Sequence, residues 1–314
     1  METSVQPFVD LLSVDERFVR SILELAVTFK AKPQSYAQAL KGKMLYALYQ
    51  KTSTRTHVSF AQAAHLLGAS YVHQSWEQSN FRISDLACET KYVSTVADFF
   101  MVRLLRYSDV RRIADAATIP VINGCCDTFH PMQALADALT VHERFGRIGG
   151  QRFLYLGVDN NVLNSLSTLM TQLGVHVVAF TPERNEPAFD RRVADRRAAT
   201  PLFERPAALD VDVLREELRK ADVVYLDTWV DMEKFEAPES RDENLARIAR
   251  MRQFTLTPEL YAGSRAAIMH CMPIHPGYEI ERSMVDHPSS VIFPQAANRT
   301  YVQAAAMLTV SQQA

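Results

Sequence analysis

The strongest constraint on this chain is an alternation between short apolar runs of strand length and longer stretches with helical spacing. In the first half the strand-like runs are 44–49, 69–73, 99–103 and 119–123. Segments 8–31, 57–67, 85–97, 110–116 and 133–146 place their apolar residues at helical intervals, with Ser13 or Asp15 available to cap the first. A helix between consecutive strands returns the chain to the same end of a sheet, so the pattern predicts parallel pairing. Gly149-Gly150 marks a junction, after which the pattern restarts. Strands are predicted at 153–157, 175–180, 221–226, 266–270 and 290–293, and helices at 163–173, 211–220 and 299–310. Residues 182–208 are rich in Pro, Arg and Ala and read as surface loop with a short helix. A length of 314 residues suits two such α/β layers.

Composition narrows the function. With 34 Lys+Arg against 36 Asp+Glu the chain lacks the basic excess of a general nucleic-acid binder. No apolar run approaches a membrane span, and the first ten residues carry two acids and no base, so neither a membrane anchor nor a signal peptide is expected. A cytoplasmic location follows as the expectation. Four cysteines, none in a C-x-x-C pair, make neither a disulfide framework nor a zinc site. Only 10 glycines are present, so a phosphate site built on a glycine-rich loop is not expected, and no G-x-G-x-x-G points to a dinucleotide.

Five segments carry chemistry, and each follows a predicted strand. Lys51-Thr52-Ser53-Thr54-Arg55-Thr56-His57 precedes a helix, where free backbone N–H groups, hydroxyls and a guanidinium can cradle phosphate. An ordinary Ser/Thr cap with a solvated arginine is the plain alternative. His130-Pro131-Met132-Gln133 opens a helix; His130 can donate to an oxygen gaining charge, and Gln133 can hold an amide-like group. Capping plus a buried histidine is the bland reading there. Asp159-Asn160-Asn161 sits where open α/β sheets bind ligands. Asp227 and Asp231 offer two carboxylates to a cationic ligand, or are solvated loop acids. In His270-Cys271-Met272-Pro273, Cys271 invites a nucleophile reading without an assignable base, and a pocket-lining role is favoured over metal binding.

Taken in order, these segments resemble the aspartate/ornithine carbamoyltransferase family over nearly the whole chain. Ser53-Thr54-Arg55-Thr56 is similar to its S-T-R-T motif and His130-Pro131-Met132-Gln133 to H-P-x-Q. The stretch 159–165 resembles the D-x-N-N-x-x-N-S of the ornithine branch, 227–232 its D-V-W-V-S-M, 270–280 its H-C-L-P-A-H-R-G-E-E-V, and Asn298-Arg299 the end of E-A-E-N-R. The resemblance implies a carbamoyl-phosphate domain at 1–147, a Rossmann-like amino-substrate domain at 148–295, and a C-terminal helix at 296–314 returning to the first. It also implies a homotrimer with sites at subunit interfaces, no cofactor and no metal. Ser53, Thr54, Arg55, Thr56 and Arg103 would bind phosphate. Thr56, Arg103, His130 and Arg299 would polarise the carbonyl, and Gln133 would hold the carbamoyl nitrogen, assisted by the backbone of Cys271 and Met272. Asn161, Asp227 and Met232 match positions that hold the amino-acid end of ornithine.

Several residues depart from the family pattern. His57 replaces an arginine, Phe81-Arg82-Ile83-Ser84-Asp85 replaces E-S-x-x-D, Met272 replaces leucine, and Gln295-Ala296-Ala297 replaces E-A-E. Asp231 replaces a serine, and a second carboxylate beside Asp227 would disfavour a substrate carboxylate there. The sequence therefore points to a carbamoyltransferase acting on a non-standard amine such as 2,3-diaminopropionate. The alternatives are ordinary ornithine carbamoylation to citrulline, and a catalytically silent ligand-binding relative.

Overall fold

The computed structural model describes residues 7–230, 235 and 237–312. They form two compact units, one of residues 1–139 with 297–314 and one of residues 140–296. The chain passes from one to the other inside α5 (Pro131–Phe145) and again inside α12 (Ile292–Ser311).

The first unit is built on β1 (Met44–Tyr49), β2 (Ser70–Ser75), β3 (Phe99–Arg103) and β4 (Val121–Cys125), ordered β2-β1-β3-β4. Every pairing is parallel. β3 and β4 are buried at every position, as expected where both faces of a parallel sheet are covered. The helices are α1 (Glu16–Ala31), α2 (Thr54–Leu67), α3 (Leu86–Val96) and α4 (Tyr107–Ala116), together with the start of α5 and the end of α12. In α1, Val19, Ile22, Leu23, Ala26 and Phe29 form the buried stripe, and the Asp15 carboxylate caps the start by accepting from Phe18 N at 2.8 Å.

The sequence places the start of this first helix too early. Phe8 bridges to Ile122 beside β4, with its N–H donating to Val121 O at 2.8 Å and its carbonyl accepting from Asn123 N at 2.9 Å. Pairing with a buried strand satisfies the Phe8 backbone, and the ring is fully buried, so tertiary contact overrides the local helical spacing.

The second unit carries β5 (Arg152–Asp159), β6 (His176–Arg184), β7 (Phe203–Glu204), β8 (Val223–Leu226) and β9 (Ala267–His270), ordered β7-β6-β5-β8-β9 and again all parallel. Its helices include α6 (Asn161–Gln172), α7 (Arg191–Ala199), α8 (Val211–Lys220), α9 (Arg241–Met251), α10 (Pro258–Tyr261) and α11 (Arg282–Val285). Leu154, Leu156, Val178, Phe180, Leu214, Leu218 and Ile268 share one core between sheet and helices. The strand predicted at 290–293 is absent: Ser290 makes only an isolated bridge to Ile268, and Ile292 already opens α12. The stretch 182–208 is more ordered than predicted, supplying the end of β6, α7 and the short edge strand β7. Among the described residues no helix is long and apolar enough to cross a membrane.

One glycine anchors the helix that carries the phosphate-like motif. Gly68 ends α2 with φ +77°, its N–H donating back to Ala64 O and His65 O. A Cβ there would lie 2.7 Å from the backbone oxygen of Ala37. Gly68→Ala should therefore destabilise the protein by at least about 1–2 kcal/mol in urea denaturation, and an unchanged midpoint would refute this reading of the turn.

Candidate active site

In the first sheet the chain leaves β1 toward β2 and β3 toward β4, so the carboxyl ends of β1 and β3 flank a topological switch point, the usual ligand crevice of such sheets. The sequence places Lys51 to Thr56 after β1 and Arg103 at the last position of β3. Ser53 is the N-cap of α2, its hydroxyl oxygen accepting from Thr56 N at 3.1 Å. Thr54 is exposed, Arg55 half-buried and Thr56 buried. The Thr56 Oγ1 accepts from Arg299 Nη2 at 2.6 Å and from Arg103 Nη1 at 3.4 Å. Arg103 and Arg299 are both buried, and among the described residues neither pairs with a carboxylate. Their Nε atoms are buried without an acceptor. Burial first, then Arg103 and Arg55, pull Arg299 down to about 10, so it remains charged at neutral pH.

His130 and Gln133 sit at the start of α5. The His130 carbonyl accepts from Gln133 N at 3.1 Å and Ala134 N at 3.3 Å, so His130 opens the helix. Burial, reinforced by the charges of Arg299, Arg103, Lys51 and Arg55, holds His130 well below the ordinary histidine range. The imidazole is therefore neutral at pH 7, able to donate one hydrogen bond without adding a charge. Gln133 Nε2 donates to Asp137 Oδ1 at 2.9 Å one turn on, which fixes the amide and leaves its buried Oε1 without a donor. Together these groups form a cationic cluster with one neutral donor and one amide acceptor, suited to a phosphate that carries a carbonyl and an N–H.

Gly124 is a participant that sequence reasoning missed. A Cβ there would meet Thr56 Cγ2 and Val102 O at 3.3 Å and Met101 Sδ at 2.6 Å. A glycine inside a buried strand was the available signal.

In the second sheet the switch point lies between β5 and β8. Asn160 follows β5 and Asp227 follows β8, and Asn160 Nδ2 donates to Asp227 Oδ2 at 2.7 Å. The Tyr155 hydroxyl donates to the same oxygen at 3.0 Å; burial, then Asp227, raises it well above its ordinary range and keeps it protonated. Asp227 Oδ1 accepts from Thr228 N and from the Cys271 thiol, each at 2.7 Å. The sequence alone assigns Cys271 no basic neighbour; the fold supplies the Asp227 carboxylate. Asn161 opens α6 beside its N-cap Asn160.

The turn carrying Cys271 and Met272 is held from behind. Met272 has φ +60°, and its N–H donates to His270 Nδ1 at 2.8 Å. The other ring nitrogen therefore carries the proton and faces Glu279 Oε1 at 3.2 Å. Glu279, fully buried, also accepts from His275 N at 2.6 Å. Gln295, the departure from an acidic family position, accepts from His270 N at 2.8 Å. His270 and His275 thus serve a carboxylate, and among the described residues no group of three His, Cys, Asp or Glu side chains is placed to hold a metal. Asp231 and Met232 lie outside the described residues. Tyr155 in a strand, Glu279 in a turn and Gln295 in a helix escaped prediction as site residues because burial beside a partner distant in sequence leaves no periodic mark.

Comparison with known proteins gives this architecture a class. Residues 6–143 match the model of the carbamoyl-P binding domain of aspartate/ornithine carbamoyltransferase, and residues 149–310 that of its Asp/Orn binding domain. The chain is a carbamoyltransferase. It belongs to the aspartate/ornithine carbamoyltransferase family, in the branch resembling ornithine carbamoyltransferase. It is 35% identical over 307 residues to the ornithine carbamoyltransferase of Methanopyrus kandleri, covering 96% of each chain. Among solved structures it is similar to ornithine carbamoyltransferase of Pyrococcus furiosus, with TM-score 0.83, 32% identity, and 98% and 97% of the two chains covered. The Thermus thermophilus enzyme follows with TM-score 0.81, 29% identity, and coverage of 96% and 97%.

Two measurements test these arrangements. The unfolded chain protonates His130 near about 6.5 and the folded protein does not. This contribution to stability is full above that pH and falls as the solution is acidified below it, by up to about 1.4 kcal/mol per pH unit. Urea denaturation of His130→Gln should show a shallower acid loss than the parent, and equal slopes would contradict the depressed value. For the Glu279 support, Glu279→Ala should lose about 2–4 kcal/mol, and Glu279→Gln less than half of that because its carbonyl still accepts from His275 N. Equal losses would mean that the hydrogen bonds carry no weight.

Proposed function

We propose that this chain transfers the carbamoyl group of carbamoyl phosphate to the side-chain amine of ornithine, releasing phosphate. The observation that carries the proposal is the convergence of Arg103 and Arg299 on Thr56 Oγ1 with, among the described residues, no carboxylate paired to either, a charge arrangement that suits an anionic ligand. Ser53, Thr54, Arg55, Thr56 and Arg103 would hold the phosphate. Thr56, Arg103, neutral His130 and Arg299 would donate to the carbonyl oxygen as it gains charge. The Gln133 Oε1, buried and lacking a donor, would accept from the carbamoyl nitrogen. A neutral amine attacks the carbonyl carbon, the C–O bond to phosphate breaks, and the amine loses a proton. Positioning and charge stabilisation would account for the catalysis.

In the second unit Asp227, Asn161, Cys271 and Met272 would take the amino substrate, joined by Asp231 and Met232, which follow Asp227 in the sequence. Asp227 has its charge directed by four donors, which suits a fixed carboxylate facing an α-ammonium. The relatives that match this chain are named ornithine carbamoyltransferases, including one called anabolic from Pyrococcus furiosus. That common name supports ornithine over the shorter or specialised amine to which Asp231 points in the sequence. The family expectation of a homotrimer in the cytoplasm belongs to the same proposal.

Phosphate release measured with ornithine, lysine, 2,4-diaminobutyrate, 2,3-diaminopropionate, putrescine and acetylated ornithine tests it. Ornithine should give the highest kcat/KM, and Asp231→Ser should change that value by less than about threefold, or about 0.7 kcal/mol. A higher kcat/KM with another amine would overturn the assignment of ornithine. No release with any amine, together with failure to bind carbamoyl phosphate, would overturn the transfer itself.

A further inference from the structure

The Arg-rich stretch 182–208, which the carbamoyl transfer does not use, helps enclose a cavity of about 170 Å³ in the second unit. The cavity lies at the carboxyl ends of β5, β6 and β7, on the opposite side of β5 from Asp227. At its base the nearly buried carboxylate of Asp159 is shared by three guanidinium groups. Arg205 Nη2 lies at 2.6 Å, Arg197 Nη1 at 3.2 Å and Arg184 Nε at 3.7 Å. The other lining acid, Asp190, is already paired with Arg192 at 2.7 Å. One carboxylate therefore faces three cations, leaving about two positive charges uncompensated. The remaining acceptors of Arg197, Ser167 Oγ and Asn164 Oδ1, are neutral. Arg184 and Arg205 are the open members, with side chains 51% and 37% exposed, so both keep donors directed to solvent or ligand.

An apolar wall completes the cavity. The Phe203 ring lies under Arg197 and Arg205, at 5.0 and 5.6 Å from ring centre to guanidinium carbon. Phe189 stands at the rim, 57% exposed although it is a large aromatic. Excess positive charge, planar bidentate donors and aromatic surface in one recess at strand carboxyl ends form a recognisable ligand chemistry. We propose that this cavity is a second binding site, for a small organic anion: a carboxylate or phosphate ester with a short apolar body. Its oxygens take the outward donors of Arg184 and Arg205, and its apolar part rests on Phe203 and Phe189. Asp159 precedes Asn160, the residue that donates to Asp227, so an occupant of this cavity acts one peptide bond away from the amino-substrate cluster.

Fluorine NMR of 4-fluorobenzoate titrated with the full chain tests the proposal, with phenyl phosphate run beside it as a competitor to tell a phosphate-ester preference from a carboxylate one. The expected result is millimolar or tighter binding that saturating carbamoyl phosphate does not displace. Arg184→Glu should weaken it by about tenfold, or about 1.4 kcal/mol. Phe189→Asp, at an exposed rim position, should weaken binding as well and guards against a folding defect in the first variant. Binding that carbamoyl phosphate displaces, binding unchanged in both variants, or no binding of either probe would overturn the proposal.

Discussion

The site of the first unit depends on keeping two arginines against one threonine with, among the described residues, no carboxylate paired to either. Arg103 and Arg299 both donate to Thr56 Oγ1, so their nitrogens lie within about 6 Å of each other, where two like charges at an effective dielectric of 20 repel by about 3 kcal/mol. No local element would choose that geometry. It holds because Arg103 ends a strand buried at every position, Thr56 sits in the first turn of a capped helix, and Arg299 belongs to a twenty-residue helix. The repulsion leaves a field ready for an anion, and that field adds to burial, the larger cause, in keeping His130 neutral. A preorganised charge cluster of this kind spares the reaction the reorganisation that water would require.

The second unit solves a different problem with the same architecture. There a single carboxylate, Asp227, is buried at a switch point, and four donors from β5, the turn after it, its own loop and the turn after β9 satisfy it. Burial of an ion is tolerated where its lone pairs are met by hydrogen bonds. The His270–Glu279 pair then fixes the Cys271–Met272 turn from behind, in the way outer partners orient the groups that touch ligand. Asp159, next in line along β5, repeats the theme with the sign reversed, one carboxylate gathering three arginines.

The correspondence between sequence and fold is uneven for identifiable reasons. The strand–helix alternation exposes both parallel sheets because their central strands, β1, β3, β5 and β8, are largely apolar runs between helices. It fails at the ends of the chain. Phe8 is drawn into pairing with β4 and Ile292 into a helix, because long-range contacts outweigh a short local pattern. In the Arg-rich stretch after β6 the short helix is legible and α7 fills it, whereas the two-residue edge strand β7 is not, because two residues carry no period.

The sequence by itself determined which residue types follow the strands, Ser53 to Thr56, His130 and Gln133, Asn160 and Asn161, Asp227 and Cys271, and that Arg299 comes near the end of the chain. Their order along the chain carries the family resemblance, because motifs are local and survive as strings. Tertiary structure alone decided how these strings meet. Arg299 is 243 residues from Thr56 and Cys271 is 44 from Asp227, separations across which no sequence period operates. The supporting atoms, Tyr155, Glu279, Gln295 and the bare Cα of Gly124, were likewise set by the fold. Their roles come from distances of a few ångströms that only packed strands and helices create.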